Sequence, residues 1–213
     1  MKTIYFVRHG STDGVENDTY QQLDTPLSPI GRVQAVKAAE YFKDIKIDLI
    51  ITSTMTRASE TAQIIKENAG LLADIQPTDL YHEAHRPTEV RGKSKFDPEV
   101  MKIIDETRNN FAKEDWKYSD EENFFDLKKR ALAALEYASA QTSDTMLITT
   151  HATFLKILLA AMVFGDALIP DTMLLFTKKF SVENTSISKV KYKERRWRIS
   201  SWNDHGHLLD NLE

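Results

Sequence analysis

The chain reads as an α/β protein, a three-layer α/β/α sandwich with a mostly parallel central sheet and a small charged insertion over the active site. Three observations predict this. Short apolar, β-branched runs at residues 3–7, 48–52 and 145–149 have the length and composition of buried strands. Long stretches of helical period separate them, and strands alternating with helices pack as a parallel sheet covered on both faces. Residues 78–123 interrupt the alternation with a strongly charged stretch, read as an insertion or cap region over the sheet's edge. A length of 213 residues suits a single domain spanning residues 1–213.

The elements follow in order. After the first strand at residues 3–7, a polar loop runs to about Leu27. Ser28 and Pro29 have the chemistry of an N-cap and first helical position. Ile30, Val33, Val36, Ala39 and Phe42 then recur as the apolar stripe of a helix. Residues 48–52 make the second strand. Ser53 or Thr54 caps a helix that runs to about Asn68, with Gly70 as its stop. Within the insertion, one helical pattern covers residues 99–111. Ser119 and Glu122 have capping-box spacing and open a long helix to about Ala140. Residues 145–149 form the third core strand, and the helix after His151 is apolar nearly all round, hence buried. Residues 187–192 and 196–202 read as strands. In the second, Trp197 and Ile199 share one face and Arg196 and Arg198 the other.

Composition narrows the function classes. Hydrophobic residues make up 41% of the chain and charged residues 28%, the balance of a soluble domain with a sizeable core. There is no cysteine, which removes disulfide frameworks, thiolate zinc sites and cysteine nucleophiles, and is compatible with a reducing cytoplasm. A formal net charge of -4 gives no general attraction for nucleic acid or anionic membranes, so an anionic ligand must be held by local positive charge. The apolar run at residues 154–164 contains Lys156 and ends at Gly165-Asp166, a buried helix rather than a membrane span. The expected setting is cytoplasmic, without membrane or nucleic-acid partners, as a monomer or homodimer.

Each core strand ends in polar residues of one flavour. The first leads into Arg8-His9-Gly10, the second into Ser53 with Arg57 a turn beyond, the third into His151. In open parallel sheets the carboxyl ends of the strands carry the ligand site. Two arginines, two histidines and helix N-termini meeting there suit a tetrahedral dianion, because guanidinium forks pair with phosphate oxygens. Taken singly, each has an ordinary structural role, as a turn, a solvated helix charge or a cap; their coincidence points to a phosphate site.

The motifs resemble those of the histidine phosphatase superfamily, the phosphoglycerate mutase-like family, branch 1 type. Arg8-His9-Gly10-Ser11-Thr12 is similar to its Arg-His-Gly-x-Thr signature. Residues 26–35, from Pro26-Leu27-Ser28 through Gly31 to Gln34-Ala35, resemble its Pro-Leu-Thr-x-x-Gly-x-x-Gln-Ala segment. Ser53 through Ala62 match its Ser-x-x-x-Arg-Ala-x-x-Thr-Ala block. The stretch Leu80-Tyr81-His82-Glu83, the pair Thr150-His151, the run Glu183-Asn184-Thr185-Ser186-Ile187 and the tail's His207-Leu208 extend the likeness along nearly the whole chain.

The resemblance implies a metal-independent phosphatase that hydrolyses a phosphomonoester, a small metabolite, with no cofactor and inorganic phosphate as product. His9 would attack phosphorus and carry it as a phosphohistidine, which needs an uncharged ring; Arg8 and Arg57 nearby disfavour imidazolium. Arg8, Arg57 and His151 would hold the non-bridging oxygens, with Ser11, Thr12, Asn17 and Arg91 as further phosphate or substrate contacts. Glu83 would give a proton to the leaving oxygen and take one from the attacking water. Two departures from the family pattern leave openings. Residues 84–92 read Ala-His-Arg-Pro-Thr-Glu-Val-Arg-Gly instead of an aromatic-Glu-Gly ending, so Glu89 rivals Glu83. An asparagine six residues past the nucleophile is replaced by Val15, and Asn17 is its candidate substitute.

His82 and His85 flank Glu83 without the spacing of a zinc site. Arg86, Arg91, Lys93 and Lys95 form a local basic stretch, by default a solvated face, or a set of contacts to the part of the substrate that is not transferred. Three alternatives stay open. One is a cofactor-dependent phosphoglycerate mutase, disfavoured by the short chain and by the missing Tyr-Gly-x-Leu-x-Gly-Leu-type stretch after the acidic residue. The second is a phosphatase of protein phosphohistidine or phosphoserine, and the third a non-enzymatic phosphate-binding module.

Overall fold

A computed structural model describes residues 1–208. In chain order the elements are β1 (Lys2–Arg8), α1 (Asp13–Glu16), α2 (Pro29–Glu40), β2 (Leu49–Thr52), α3 (Thr56–Asn68), β3 (Ile75–Pro77), α4 (Pro98–Asn110), α5 (Phe124–Ala140), β4 (Thr145–Thr150), α6 (Ala152–Phe164), α7 (Pro170–Lys179), β5 (Ile187–Lys193) and β6 (Arg196–Asp204). The strands form one sheet in the order β3-β2-β4-β1-β5-β6. The first four in that order run parallel, and β5 and β6 are antiparallel additions at one edge. This is the mixed, mostly parallel α/β sheet that the alternation predicts.

The sheet has a core on each face. Ile4, Phe6, Ile51, Met146 and Ile148 pack with α5 and α6 on one side, a cluster that includes the fully buried Tyr81 and Phe154. Tyr5, Val7, Ile50 and Leu147 pack with α2 and α3 on the other. Adjacent strand residues alternate between the two clusters, as a period of two requires. Seven residues of α6 are buried, in agreement with its apolar sequence. No helix among the described residues is long and apolar enough to cross a membrane.

Three local expectations are corrected. The buried side of α2 is Gly31, Ala35, Ala38 and Ala39, continued by Phe42, whereas Ile30, Val33 and Val36 are 56%, 58% and 41% exposed. At Gly31 the helix lies so close to the loop after β1 that no side chain fits between them, and this contact, rather than hydrophobicity, selects the inward face. The N-cap of α3 is Met55, with no side-chain cap; the Ser53 hydroxyl accepts from the Met55 amide at 3.2 Å instead. The capping box of α5 is Asn123 with Asp126, not Ser119 with Glu122. Ser119 instead donates to Glu89, and Glu122 pairs with Arg130. The short strand β3, the four-residue α1 and the helix α7 were not expected.

Candidate active site

Strand pairing sets the site. Arg8, Thr52 and Thr150 close three neighbouring parallel strands, and the next residues are His9, Ser53 and His151. The ladder continues one step past the strands, with the His9 amide donating to Thr150 O at 2.9 Å and the Ser53 amide to Thr149 O at 3.1 Å. The two imidazoles therefore sit side by side, ring centroids 5.0 Å apart, and both residues are buried. Ser53 Oγ lies 2.9 Å from His151 Nε2.

The loop carrying His9 is held on several sides by residues of the other motifs. A Cβ on Gly10 would lie 2.3 Å from Gly31 O, and one on Gly31 would lie 2.0 Å from Ser11 O, so both positions require glycine to let the backbones meet. Ser11 N donates to Gln34 Oε1 at 2.8 Å, Gly10 N to Thr61 Oγ1 at 3.1 Å and Ser28 N to Ser11 O at 3.0 Å. Asn184 Nδ2 donates to the His9 carbonyl at 3.0 Å. His207 Nε2 and Thr185 Oγ1, 3.0 Å apart, tie the tail to the same region.

His9 Nδ1 lies 2.7 Å from Gly10 O. A carbonyl can only accept, so Nδ1 carries the proton and Nε2 of the neutral ring keeps its lone pair. Burial, then Arg57 and Arg8, hold His9 well below the ordinary histidine range, opposed only by the bond to Gly10. Burial, followed by Arg57 and His9, does the same to His151. Arg57 itself is lowered to about 10 by burial, against the raising effect of Glu83, and stays charged at neutral pH. Burial also lowers Arg8, against Glu83 and Glu183.

Among the described residues these cations enter no ion pair. Arg8 Nη1 donates to Val182 O at 2.6 Å, and Arg57 donates to Gln22 O and Met55 Sδ. Arg8 Nε, Arg57 Nε and His151 Nδ1 are buried without a partner among the described residues. Buried polar groups are seldom left so, and three of them around one imidazole mark a place where an acceptor-rich ligand would complete the bonding.

Glu83 faces this group from the N-terminus of α6. Its Oε1 accepts from Ala84 N and Phe154 N, each at 2.9 Å, and its Oε2 from Thr153 N at 3.2 Å. With Arg8, His9 and Arg57 it lines a cavity of about 220 Å³. Glu83 is the one carboxylate in that lining, against Arg8, Arg57, Arg86, Arg91 and Lys95.

Not every expected contact is placed there. Thr12 is buried as the N-cap of α1, and Asn17 is exposed at that helix's other end. Neither lines the cavity, nor does Ser11, whose amide is taken by Gln34, nor the fully buried His151, whose ring lies beside that of His9. Thr12 and Ser11 shape the turn after His9 instead. Glu89 lies outside as well, accepting from Ser119 Oγ at 2.7 Å. Arg91 does line the cavity, and its guanidinium donates to Arg86 O and pairs with Asp120 at 2.7 Å. Of the remaining basic stretch, Arg86 and Lys95 line it and Lys93 does not. Tyr20 and Gln21 were missed as lining residues, since nothing in a polar loop signals which side chains turn inward. His82 and His85 approach to 3.5 Å, and among the described residues no group of three or more His, Asp or Glu side chains is arranged to hold a metal ion.

A cavity with such a surplus of positive charge around a buried neutral imidazole suits a phosphorylated compound, the ligand of a phosphatase. The comparisons narrow that class: the model of the histidine phosphatase superfamily (branch 1) matches residues 4–205, and the chain belongs to that family. It is 29% identical over 210 residues to the uncharacterised phosphatase PhoE of Bacillus subtilis, covering 98% of this chain and 97% of the relative. It is equally 29% identical, over 226 residues and the full length of both chains, to the probable phosphoglycerate mutase GpmB of Yersinia enterocolitica. Among solved structures, Bacillus stearothermophilus YhfR superimposes with a TM-score of 0.82 at 27% identity, covering 98% of this chain and all of the other.

Proposed function

We propose that the protein hydrolyses a phosphomonoester of a small metabolite through a phosphohistidine on His9. The reading is carried by one observation: the Nδ1–H of His9 is engaged by Gly10 O, so the lone pair on Nε2 is free beside Arg8, Arg57 and His151. Nε2 attacks phosphorus in line, the bond from phosphorus to the ester oxygen breaks, and Glu83 in its acid form gives that oxygen a proton. Arg8, Arg57 and His151 hold the non-bridging oxygens and offset charge in the transition state. Glu83, now a carboxylate, takes a proton from water; the water oxygen bonds to phosphorus, the phosphorus–nitrogen bond breaks, and phosphate leaves. Positive charge from the arginines is sufficient for this sequence, so the reading calls on no cofactor. Residues 78–123 act in it as the cap that supplies Glu83 and the outer wall of the cavity.

Phosphate release from a panel of phosphorylated metabolites, with His9→Ala as the blank, tests the reading. Release by the wild type and none above background by the variant is the expected outcome. Unimpaired turnover by His9→Ala would remove the nucleophile. Isomerisation of a monophosphoglycerate primed with the bisphosphate, without net phosphate release, would move the chain to the mutases.

A further inference from the structure

A second cavity, of about 260 Å³, abuts the first, and Ala84, His85 and Arg86 line both. Its walls differ in chemistry. Ile104 of α4, Ile157 of α6, Met173 and Leu174 of α7, with Phe111 and Trp116 from the segment after α4, give it an apolar interior. Its charged lining residues are of both signs: Arg86, Arg108 and Lys178 against Glu121 and Glu122. Arg108 is paired with Asp105, and Glu122 with Arg130. Three cations against two carboxylates is a far smaller surplus than the five against one of the first cavity.

We infer that this cavity holds the apolar body of the substrate, an aromatic or branched aliphatic group joined by a short chain to the phosphate. The inference rests on the reading of Glu83 as the acid for the leaving oxygen. A group that protonates the ester oxygen fixes the direction in which the organic part departs, and that direction is the Glu83 side of the phosphate. There, Thr153 N bonds Glu83 Oε2 at 3.2 Å while the Thr153 residue lines the second cavity. The chain of the ester crosses residues 84–86, where the two cavities meet. Size agrees: a cavity of about 150 Å³ accepts a benzene ring, so this one takes a ring with a short alkyl link. The start of the segment that departs from the family pattern, residues 84–86, thus sits between a cationic cavity and an apolar one. The matching substrate class is an amphiphilic phosphomonoester with an uncharged apolar tail.

Butyl phosphate and 4-phenylbutyl phosphate, which differ only by the ring, test this. The wild type is expected to show a kcat/KM about tenfold or more higher for the phenyl ester, the discrimination typical of a filled apolar pocket. Thr177→Trp on α7, or Thr107→Trp on α4, fills the cavity and brings that ratio close to one, with butyl phosphate turnover reporting that the variant is folded. The phenyl ester added to His9→Ala should shift the tryptophan emission, and Trp116→Phe should abolish the shift. Equal kcat/KM for the two esters, or a preference that survives both fillings, overturns this inference and leaves the phosphatase reading standing. Turnover of neither ester, with phosphate release retained on the metabolite panel, overturns this inference alone; loss of both sinks the phosphatase reading with it.

Discussion

Arg130 grips the carboxylate of Glu122 with both arms of its fork, Nε to Oε1 at 2.7 Å and Nη2 to Oε2 at 2.6 Å. The remaining donors go to the chain that carries Glu83: Nη1 to Leu80 O at 3.1 Å and His82 O at 2.9 Å, and Nη2 to Glu83 O at 3.3 Å. The guanidinium lies 3.9 Å from the centre of the Phe154 ring, and Glu122 Oε2 also accepts from His85 N at 3.0 Å. One planar cation thus fixes the backbone on both sides of the candidate acid.

Arg130 is accordingly a positioning residue, and its loss should be felt where proton donation matters. Arg130→Lys keeps the charge but cannot reproduce five donors in a plane. Its kcat should fall by about 10²-fold on an alkyl phosphate, whose leaving oxygen needs the proton, the lower end of what general acids contribute. It should fall much less on 4-nitrophenyl phosphate, whose leaving group needs none. Equal losses on both substrates would reduce Arg130 to a general structural role.

The two buried imidazoles predict how stability varies with acidity. His9 and His151 are both held well below the usual histidine value, first by burial and then by Arg57. Below about pH 6.5 the unfolded chain binds protons on these rings and the folded chain does not. Stability is therefore full above that value and falls as the pH drops towards the folded pKa values. The urea midpoint of the wild type should decrease between pH 7.5 and pH 5.5, and the decrease should be smaller in a His9→Asn, His151→Asn double variant. The same pH slope in both proteins would show that the imidazoles are not the cause.

Much of this was legible in the sequence. Three apolar runs with a polar cluster after each located β1, β2 and β4, and with them His9, Ser53 and His151, because strand period and strand ends are local properties. The buried face of α2 was not legible, since it is chosen by the backbone of residues 10 and 11 rather than by hydrophobicity. Arg130 follows Lys128 and Lys129 and reads as part of a solvated charge run; only its partners, up to 50 residues away in sequence, reveal its work. The lining of the second cavity comes from α4, α6, α7 and the turns before α5, and no spacing rule joins these.

Gly31 should tolerate no side chain. Its Cβ would lie 2.0 Å from Ser11 O, a backbone atom that cannot swing aside. Gly31→Ala should destabilise the fold by on the order of 3 kcal/mol through overpacking, although alanine is the better helix former. Activity should fall with stability, since the displaced loop carries His9. A denaturation midpoint equal to or above the wild type's would refute this contact.

Thr61 joins two segments that line the cationic cavity. Its Oγ1 accepts from Gly10 N at 3.1 Å and donates to Arg57 O at 2.7 Å, linking the His9 loop to the first turn of α3. Thr61→Val keeps the shape but removes the acceptor, leaving the buried Gly10 amide unpaired at a cost of about 1–3 kcal/mol. Because both linked segments touch the proposed phosphate site, kcat should drop by more than the loss of folded protein explains, while Thr61→Ser should restore most of it. Urea titration and steady-state kinetics on the three proteins separate the effects. If the valine variant matched the wild type per folded molecule, the bond would matter to the fold alone.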